Sequence, residues 1–266
     1  MSAAGILGRI IARTRESVQL RKQQYPIERV MAGAPTPIGR RPFGRSLARR
    51  DRINVIAEFK RRSPSRGVIR EDLHPVTVAQ GYEIAGAAAL SVLTDAPHFG
   101  GSLQDLAEAR SATLLPTLQK DFIVDAYQIR EAWIAGADAV LLIVAVLSDL
   151  ELRKLHETAL EHGLDVLVEV HDRDELRRAL AIEPAIIGVN SRDLHTMQVR
   201  LETAFELVGE IPEQVIAVAE SGIRSRGEID RLSDAGYDAF LVGEFLMSSP
   251  DPRQALEDLV RPEVGA

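Results

Sequence analysis

From Ile53 onward the spacing of apolar residues switches back and forth between two periods. Short, nearly continuous apolar runs read as buried strands, and the stretches between them place apolar residues three and four apart, as helices do. The runs predict strands at Ile53–Phe59, Ala88–Leu93, Leu114–Gln119, Ala139–Val144, Asp165–Val170, Ile186–Asn190, Val215–Glu220 and Ala239–Val242. Helical spacing predicts helices at Val76–Ala85, Leu103–Ser111, Ala126–Ala135, Asp149–Glu161, Arg173–Ala181, Leu201–Val208, Arg226–Asp234 and Arg253–Val260. Strictly alternating strands and helices predict an α/β protein, a closed (β/α)8 TIM barrel. The alternative is an open doubly wound sheet, but no G-x-G-x-x-G turn follows the first strand. Turns such as AGADAV (Ala135–Val140) and AGYDAF (Ala235–Phe240) end a helix on Gly and start a strand at once, a structural feature of the amino-terminal face.

Ahead of the barrel, Ile6, Leu7, Ile10, Ile11 and Val18 keep helical spacing among basic residues, with Pro26 closing the run. An Arg-rich amphipathic start also suits a mitochondrial transit peptide. Glu16, Glu28 and the lack of a Ser-rich tail favour a helix packed on the body. Met31–Arg50 reads as a Gly/Pro/Arg-rich connection with a short helix around Phe43–Arg50. The expected organisation is an N-terminal helical extension and linker, residues 1–52, and a catalytic barrel, residues 53–262.

Composition narrows the function. The chain has 266 residues and a formal net charge of -7, which gives no sign of the basic face of a nucleic-acid binder. It lacks Cys, so disulfides, thiolate nucleophiles and Cys-ligated zinc are excluded, and a reducing cytoplasm is the expected location. No apolar run has membrane-spanning length. His156 and His162 have no companions at metal-ligand spacing, and neither metal nor cofactor is expected. Lys22, Lys60, Lys120 and Lys154 are the only lysines among 32 basic residues. A lysine at a strand end therefore stands out, because Lys, unlike Arg, can exchange a proton near neutrality.

The segment Val55–Gly67, VIAEFKRRSPSRG, carries the sharpest signal. Val55, Ala57 and Phe59 share one strand face; Ile56, Glu58 and Lys60 share the other, which turns charged only at its carboxyl end. Other strands end similarly: Lys120, Glu169, Asn190 followed by Arg192, and Glu220 followed by Ser221 and Gly222. In a closed barrel these ends meet at one mouth, as three carboxylates against three cations. Buried charges persist only when paired, so a mutually paired cluster is expected. AESGI (Ala219–Ile223) and LVGEFLM (Leu241–Met247) place Gly just after the last two strands. Loops there, with a short extra helix, bind phosphate in many barrels, so a phosphate ester is the expected substrate. Phe99, Phe122, Pro64 and Leu194 form an apolar wall that either stacks a planar group or seals the barrel top.

The segments IAEFKRRSPSRGVI, SVLTDAPHFGGS, KDFIVDAYQI, GADAVLLIVAVL, VLVEVHD, IGVNSRDL, VAESGI and FLVGEFLM resemble the indole-3-glycerol phosphate synthase family, in the family's order from Ile53 to Met247. The resemblance implies ring closure, decarboxylation and dehydration of 1-(2-carboxyphenylamino)-1-deoxyribulose 5-phosphate. It implies Lys120 as general acid in ring closure and Glu169 as base or acid in dehydration. It implies that Lys60 holds the substrate carboxylate or donates a proton in dehydration, and that Glu58 orients and tunes both lysines. Asn190 would bind the hydroxyl or carbonyl region, with Arg192, Glu220 and Leu194 completing the mouth. Ser63, Ser221, Gly222, Gly243 and the Glu244 backbone would hold phosphate, and Pro64, Phe99, Phe122 and Leu141 would receive the anthranilate ring. Gln119, Ser191, Arg66 and Phe245 depart from the family's usual residues; bulky Phe245 predicts altered substrate affinity with the same reaction. The rival readings are a Schiff-base lyase or aldolase using Lys60 or Lys120, and a non-catalytic scaffold. A monomer or weak homo-oligomer is expected.

Overall fold

The computed structural model describes residues 5–32, 39–64, 66–194 and 196–261. Linker residues 33–38, Ser65 of the first turn and Pro262 at the expected end of the barrel lie outside the described residues. Three helices come first: α1 (Ile6–Gln24), α2 (Ile27–Ala32) and α3 (Phe43–Leu47). The barrel opens with β1 (Asn54–Phe59), followed by a small hairpin, β2 (Arg62–Ser63) and β3 (Gly67–Val68), and α4 (Pro75–Ile84). Next come β4 (Ala89–Leu93), α5 (Ala96–Phe99), α6 (Leu103–Ser111), β5 (Thr117–Lys120), α7 (Ala126–Ala135), β6 (Ala139–Ile143) and α8 (Asp149–Glu161). The chain continues through β7 (Asp165–Val170), α9 (Arg173–Leu180), β8 (Ile186–Asn190), α10 (Glu202–Leu207), β9 (Ile216–Glu220), α11 (Arg226–Ala235), β10 (Ala239–Val242), α12 (Glu244–Ser248) and α13 (Pro252–Val260).

β1 and β4–β10 close into a parallel barrel in sequence order, sealed by pairing of β1 with β10. Each strand's two faces have different partners. Val55, Ala57 and Phe59 pack outward beneath the helices, whereas Ile56 points into the barrel with Leu118, Leu141 and Leu167. Expected and observed elements differ mainly at ends. The strand expected from Leu114 starts only at Thr117: Pro116 has no N–H to give a neighbour, and the Leu114 N–H is taken by Glu83 at 2.6 Å. The run Ala139–Val144 stops at Ile143 because Val144–Val146 tightens into a 3-10 turn. After Pro26 the chain re-enters a second short helix, α2, which the sequence pattern did not indicate.

Left-handed glycines Gly136 and Gly236 close α7 and α11, so these turns are structural, as expected. Among the described residues no helix is long and apolar enough to cross a membrane. Of the first three helices, α1 and α3 are part of the same packing unit as the barrel. Phe43 and Leu47 of α3 join the interior cluster beside Ala88, Ala89 and Ile186 at the strand starts. Leu7 and Ile10 of α1 join it with Phe122 and Ile143 at the opposite end.

Candidate active site

A cavity of about 490 Å³ opens at the carboxyl ends of the strands. It is lined by all five residues expected to be catalytic, Glu58, Lys60, Lys120, Glu169 and Asn190. Around them lie Ser63, Pro64, Phe99, Phe122, Leu141, Arg192, Leu194 and Glu220, and the loop residues Ser221, Gly222, Gly243 and Glu244. Every residue singled out for the site thus reaches one cavity, through eight different loops or strand ends.

The charged centre has two parts. On β1, Lys60 Nζ donates to Glu58 Oε1 at 2.8 Å, and Ser91 Oγ on β4 donates to Glu58 Oε2 at 3.3 Å. Across the barrel, Lys120 Nζ donates to Glu169 Oε2 at 2.7 Å and Glu220 Oε2 at 2.6 Å. Burial alone would discharge Lys120, yet Glu169 and Glu220, with Glu58 behind them, hold its proton well above the ordinary lysine range. Burial pushes the Glu220 carboxyl up to about 7, the nearby Glu169 adding to the effect against the pull of Lys120. For Glu169 burial also disfavours charge, but Lys120 and His171 outweigh it and hold the carboxyl far below its usual range.

Close packing explains two glycines. A Cβ on Gly243 would lie 2.3 Å from Glu58 Oε1, and one on Gly188 would lie 2.1 Å from Glu220 Oε1. Glycine at these points lets the carboxylates stand against the neighbouring backbone.

Arg192 differs from its expected place in the charge balance. It lies at the mouth, but its guanidinium pairs with Glu244 at 3.1 Å, and its backbone N–H donates to Asn190 Oδ1 at 3.0 Å. Arg66 pairs with Glu244 from the other side at 2.9 Å. Two guanidiniums therefore gather at the start of α12, beside Ser221 and Gly222, whose φ angles are 66° and 85°. Positive φ is rare for serine, so this turn holds a strained backbone at the cavity edge.

The apolar side is made by Phe122 and Leu141, both buried, with Phe99 at 6.3 Å between ring centroids from Phe122. Leu194 is half-buried, and Pro64 is exposed at the rim. Leu7 and Ile10 of α1 also line this side. Their helical spacing was legible, but nothing local to α1 says that it lies over the mouth. Phe245 lines the cavity and packs half-buried against the outer core. Of the other departures, Gln119 Nε2 donates to Thr94 Oγ1 at 2.9 Å, while buried Gln119 Oε1 and Ser191 Oγ meet no partner among the described residues.

His171 was missed. It follows β7 two residues after Glu169, so strand alternation puts both on one face, and that spacing was available in the sequence. Its ring sits between Glu169 and Glu175.

Comparisons with known proteins give the same picture. The indole-3-glycerol phosphate synthase of Koribacter versatilis is 53% identical over 208 residues, 78% of this chain and 80% of that protein. That of Acidithiobacillus ferrooxidans is 49% identical over 257 residues, 96% of this chain and 98% of that protein. Among solved structures, thiamine phosphate pyrophosphorylase from Pyrococcus furiosus aligns with a TM-score of 0.59 at 19% identity, covering 82% of this chain and 96% of that one. At that identity the likeness speaks for the barrel fold alone. The family profile described as indole-3-glycerol phosphate synthase matches residues 7–259, and with these relatives and this cavity the chain belongs to the indole-3-glycerol phosphate synthase family.

Proposed function

We infer that this chain is a carboxy-lyase that converts 1-(2-carboxyphenylamino)-1-deoxyribulose 5-phosphate to indole-3-glycerol phosphate, carbon dioxide and water. The observation that carries the assignment of roles is the ammonium of Lys120, clamped between two carboxylates at 2.7 and 2.6 Å inside a cavity with one apolar and one cationic end.

In ring closure a carbon of the anthranilate ring attacks the ribulose carbonyl, whose oxygen gains charge as the C–C bond forms. Lys120 donates a proton there. A cation at this point is worth more than in water, because the surrounding walls have low polarity. Loss of carbon dioxide from the attacking ring carbon returns its electron pair to the ring. Dehydration then removes the new hydroxyl as water, which needs an acid at that oxygen and a base at the adjacent CH2 carbon beside the nitrogen, whose proton leaves as the ring double bond forms. Glu169 takes one of these parts, and Lys60, held by Glu58, anchors the substrate carboxylate and can deliver the other proton. Asn190 directs its amide at the sugar hydroxyls. Phosphate lies at Ser63, Ser221, Gly222, Gly243 and the Glu244 backbone, where the α12 start, Arg66 and Arg192 bring positive potential. The anthranilate ring takes the pocket of Phe122, Leu141, Phe99 and Pro64, with Leu194, Arg192 and Glu220 at its border.

A Schiff-base mechanism needs a neutral amine, and the doubly paired Lys120 ammonium opposes that reading. Residues 1–52 and 53–262 are proposed as extension and catalytic barrel. A cytoplasmic location and a monomeric or weakly associated state complete the reading.

The direct test is indole fluorescence on mixing the purified protein with substrate, beside Lys120→Ala. The wild type makes indole and the variant loses at least ~100-fold in kcat, the scale of an essential general acid. Equal rates in both would remove Lys120 from the chemistry; no product from the wild type would remove the activity.

A further inference from the structure

The charges at the mouth do not balance without His171. Lys60 serves Glu58, and Lys120 is shared by Glu169 and Glu220. Arg192, the third cation expected there, pairs with Glu244 instead. One oxygen of Glu169, Oε1, faces His171 Nε2 at 3.4 Å. The opposite ring nitrogen, Nδ1, lies 2.9 Å from Glu175 Oε2, which also accepts from the His171 backbone N–H at 2.9 Å. Glu175 sits in the first turn of α9. The histidine side chain is 12% exposed and Glu169 3%, so bulk water does not compete for the pair.

A neutral imidazole has a single N–H and would turn a lone pair toward one of the two carboxylates. Only the imidazolium offers an N–H to Glu175 and a positive charge to Glu169, whose Oε1 stands at ion-pair distance from Nε2 without hydrogen-bond geometry. We propose that His171 is a positioning residue for Glu169: an imidazolium held between Glu169 and Glu175 that aligns Oε1, leaves Oε2 to Lys120, and keeps Glu169 ionised. The proposal rests on the reading of Glu169 as acid or base in dehydration. Burial alone would lower the His171 pKa, but the two carboxylates raise it to about 10. The charged groups acting on Glu169 are Lys120 from β5, Glu220 from β9 and His171; among the described residues lining the cavity, Glu58 and Lys60 come from the end of β1, Leu141 and Ile143 from β6, and the neutral Asn190 from β8. With His171 uncharged, Glu169 and Glu220 would compete for one ammonium, and Glu169 would accept a proton at higher pH.

The experiment combines a titration with a pH–rate profile. Ring ¹⁵N shifts of the wild type, assigned by difference from His171→Gln, should show one histidine doubly protonated above pH 8. A His171 that titrates near 6.5 overturns the proposal whether or not the enzyme turns over. In kinetics, His171→Gln should move the acid limb of kcat upward by about one pH unit, so that kcat falls up to about tenfold on that limb and less at neutral pH. KM should stay within about twofold, since the ring does not line the cavity. Glu175→Gln, which removes the distal anchor, should shift the same limb by less, and it supplies the kinetic reading should His171→Gln fail to fold. Acid limbs that coincide with wild type in the folded variants, or a change confined to KM, overturn the proposal. An inactive wild type removes the functional reading, and the titration still decides the state of His171.

Discussion

Asp121 shows how a single buried side chain can set a pH response beside the site. Its oxygens accept from Thr94 Oγ1, from Gln119 Nε2 at 3.3 Å and from the Phe122 N–H at 2.8 Å. Burial raises its carboxyl to about 6, with nearby Asp95 adding to the rise against these hydrogen bonds and Arg21. The folded state therefore keeps this proton over a range in which the unfolded chain has released it. That difference favours folding at low pH, and the benefit is lost as pH rises from about 4 through about 6. Asp121→Asn removes the dependence, so urea unfolding at pH 4.5 and pH 7 should show the variant gaining on wild type as pH rises; the opposite trend would mean that Asp121 is ionised throughout. At this scale the sequence was informative where a residue's partner lay on its own strand. Glu58 and Lys60, two apart, pair as alternation requires. Glu169 and His171 have the same spacing, but the second half of that device, Glu175, lies in the following helix, and strand periodicity does not reach it.

At the scale of elements, the turn after β1 is a hairpin rather than a loose loop. Arg62 pairs with Val68 and Ser63 with Gly67. Arg61 fastens it to α6 through both Asp105 oxygens at 2.8 Å and to the Gly100 carbonyl at 3.0 Å. This bidentate pair is shielded enough to hold position. Asp105→Asn should free the hairpin that carries Ser63 and Pro64, raising KM several-fold with kcat nearly unchanged, as uniform binding is lost. An unchanged KM in steady-state assays would show that the hairpin holds its place without Asp105. Helix starts were legible because their signals are local. Ser148 with Glu151 and Ser225 with Glu228 form capping boxes at the S-x-x-E spacing. The hairpin was not legible, since a two-residue strand has too few positions to display alternation.

At the scale of the molecule, the amino-terminal extension holds the barrel at both ends, with α3 beneath the strand starts and α1 over the mouth. Leu7, Ile10 and Val18 of α1 are 7%, 3% and 0% exposed, while its pairs Arg21–Glu131 and Lys22–Asp125, both at 2.9 Å, are partly open to water. Burial of an aliphatic side chain stabilises by about 1.5–3 kcal/mol, whereas exposed ion pairs contribute about 0–1 kcal/mol. Leu7→Ala with Ile10→Ala should therefore lower Tm and raise KM, and Arg21→Ala with Lys22→Ala should leave both nearly as they were; thermal melts and kinetics on the two double variants separate the cases. The sequence by itself determined the number and order of barrel strands, the face each residue takes, and the presence of Glu58, Lys60, Lys120, Glu169, Asn190 and Glu220 at strand ends. These follow from periodicity, which acts along a few residues of chain. Only the tertiary structure decided which ends pair across the cavity, that Arg192 turns to Glu244 while His171 faces Glu169, and that α1 lies over the apolar pocket. Those contacts join residues far apart in sequence, and their partners are set by barrel closure and strand register rather than by local pattern.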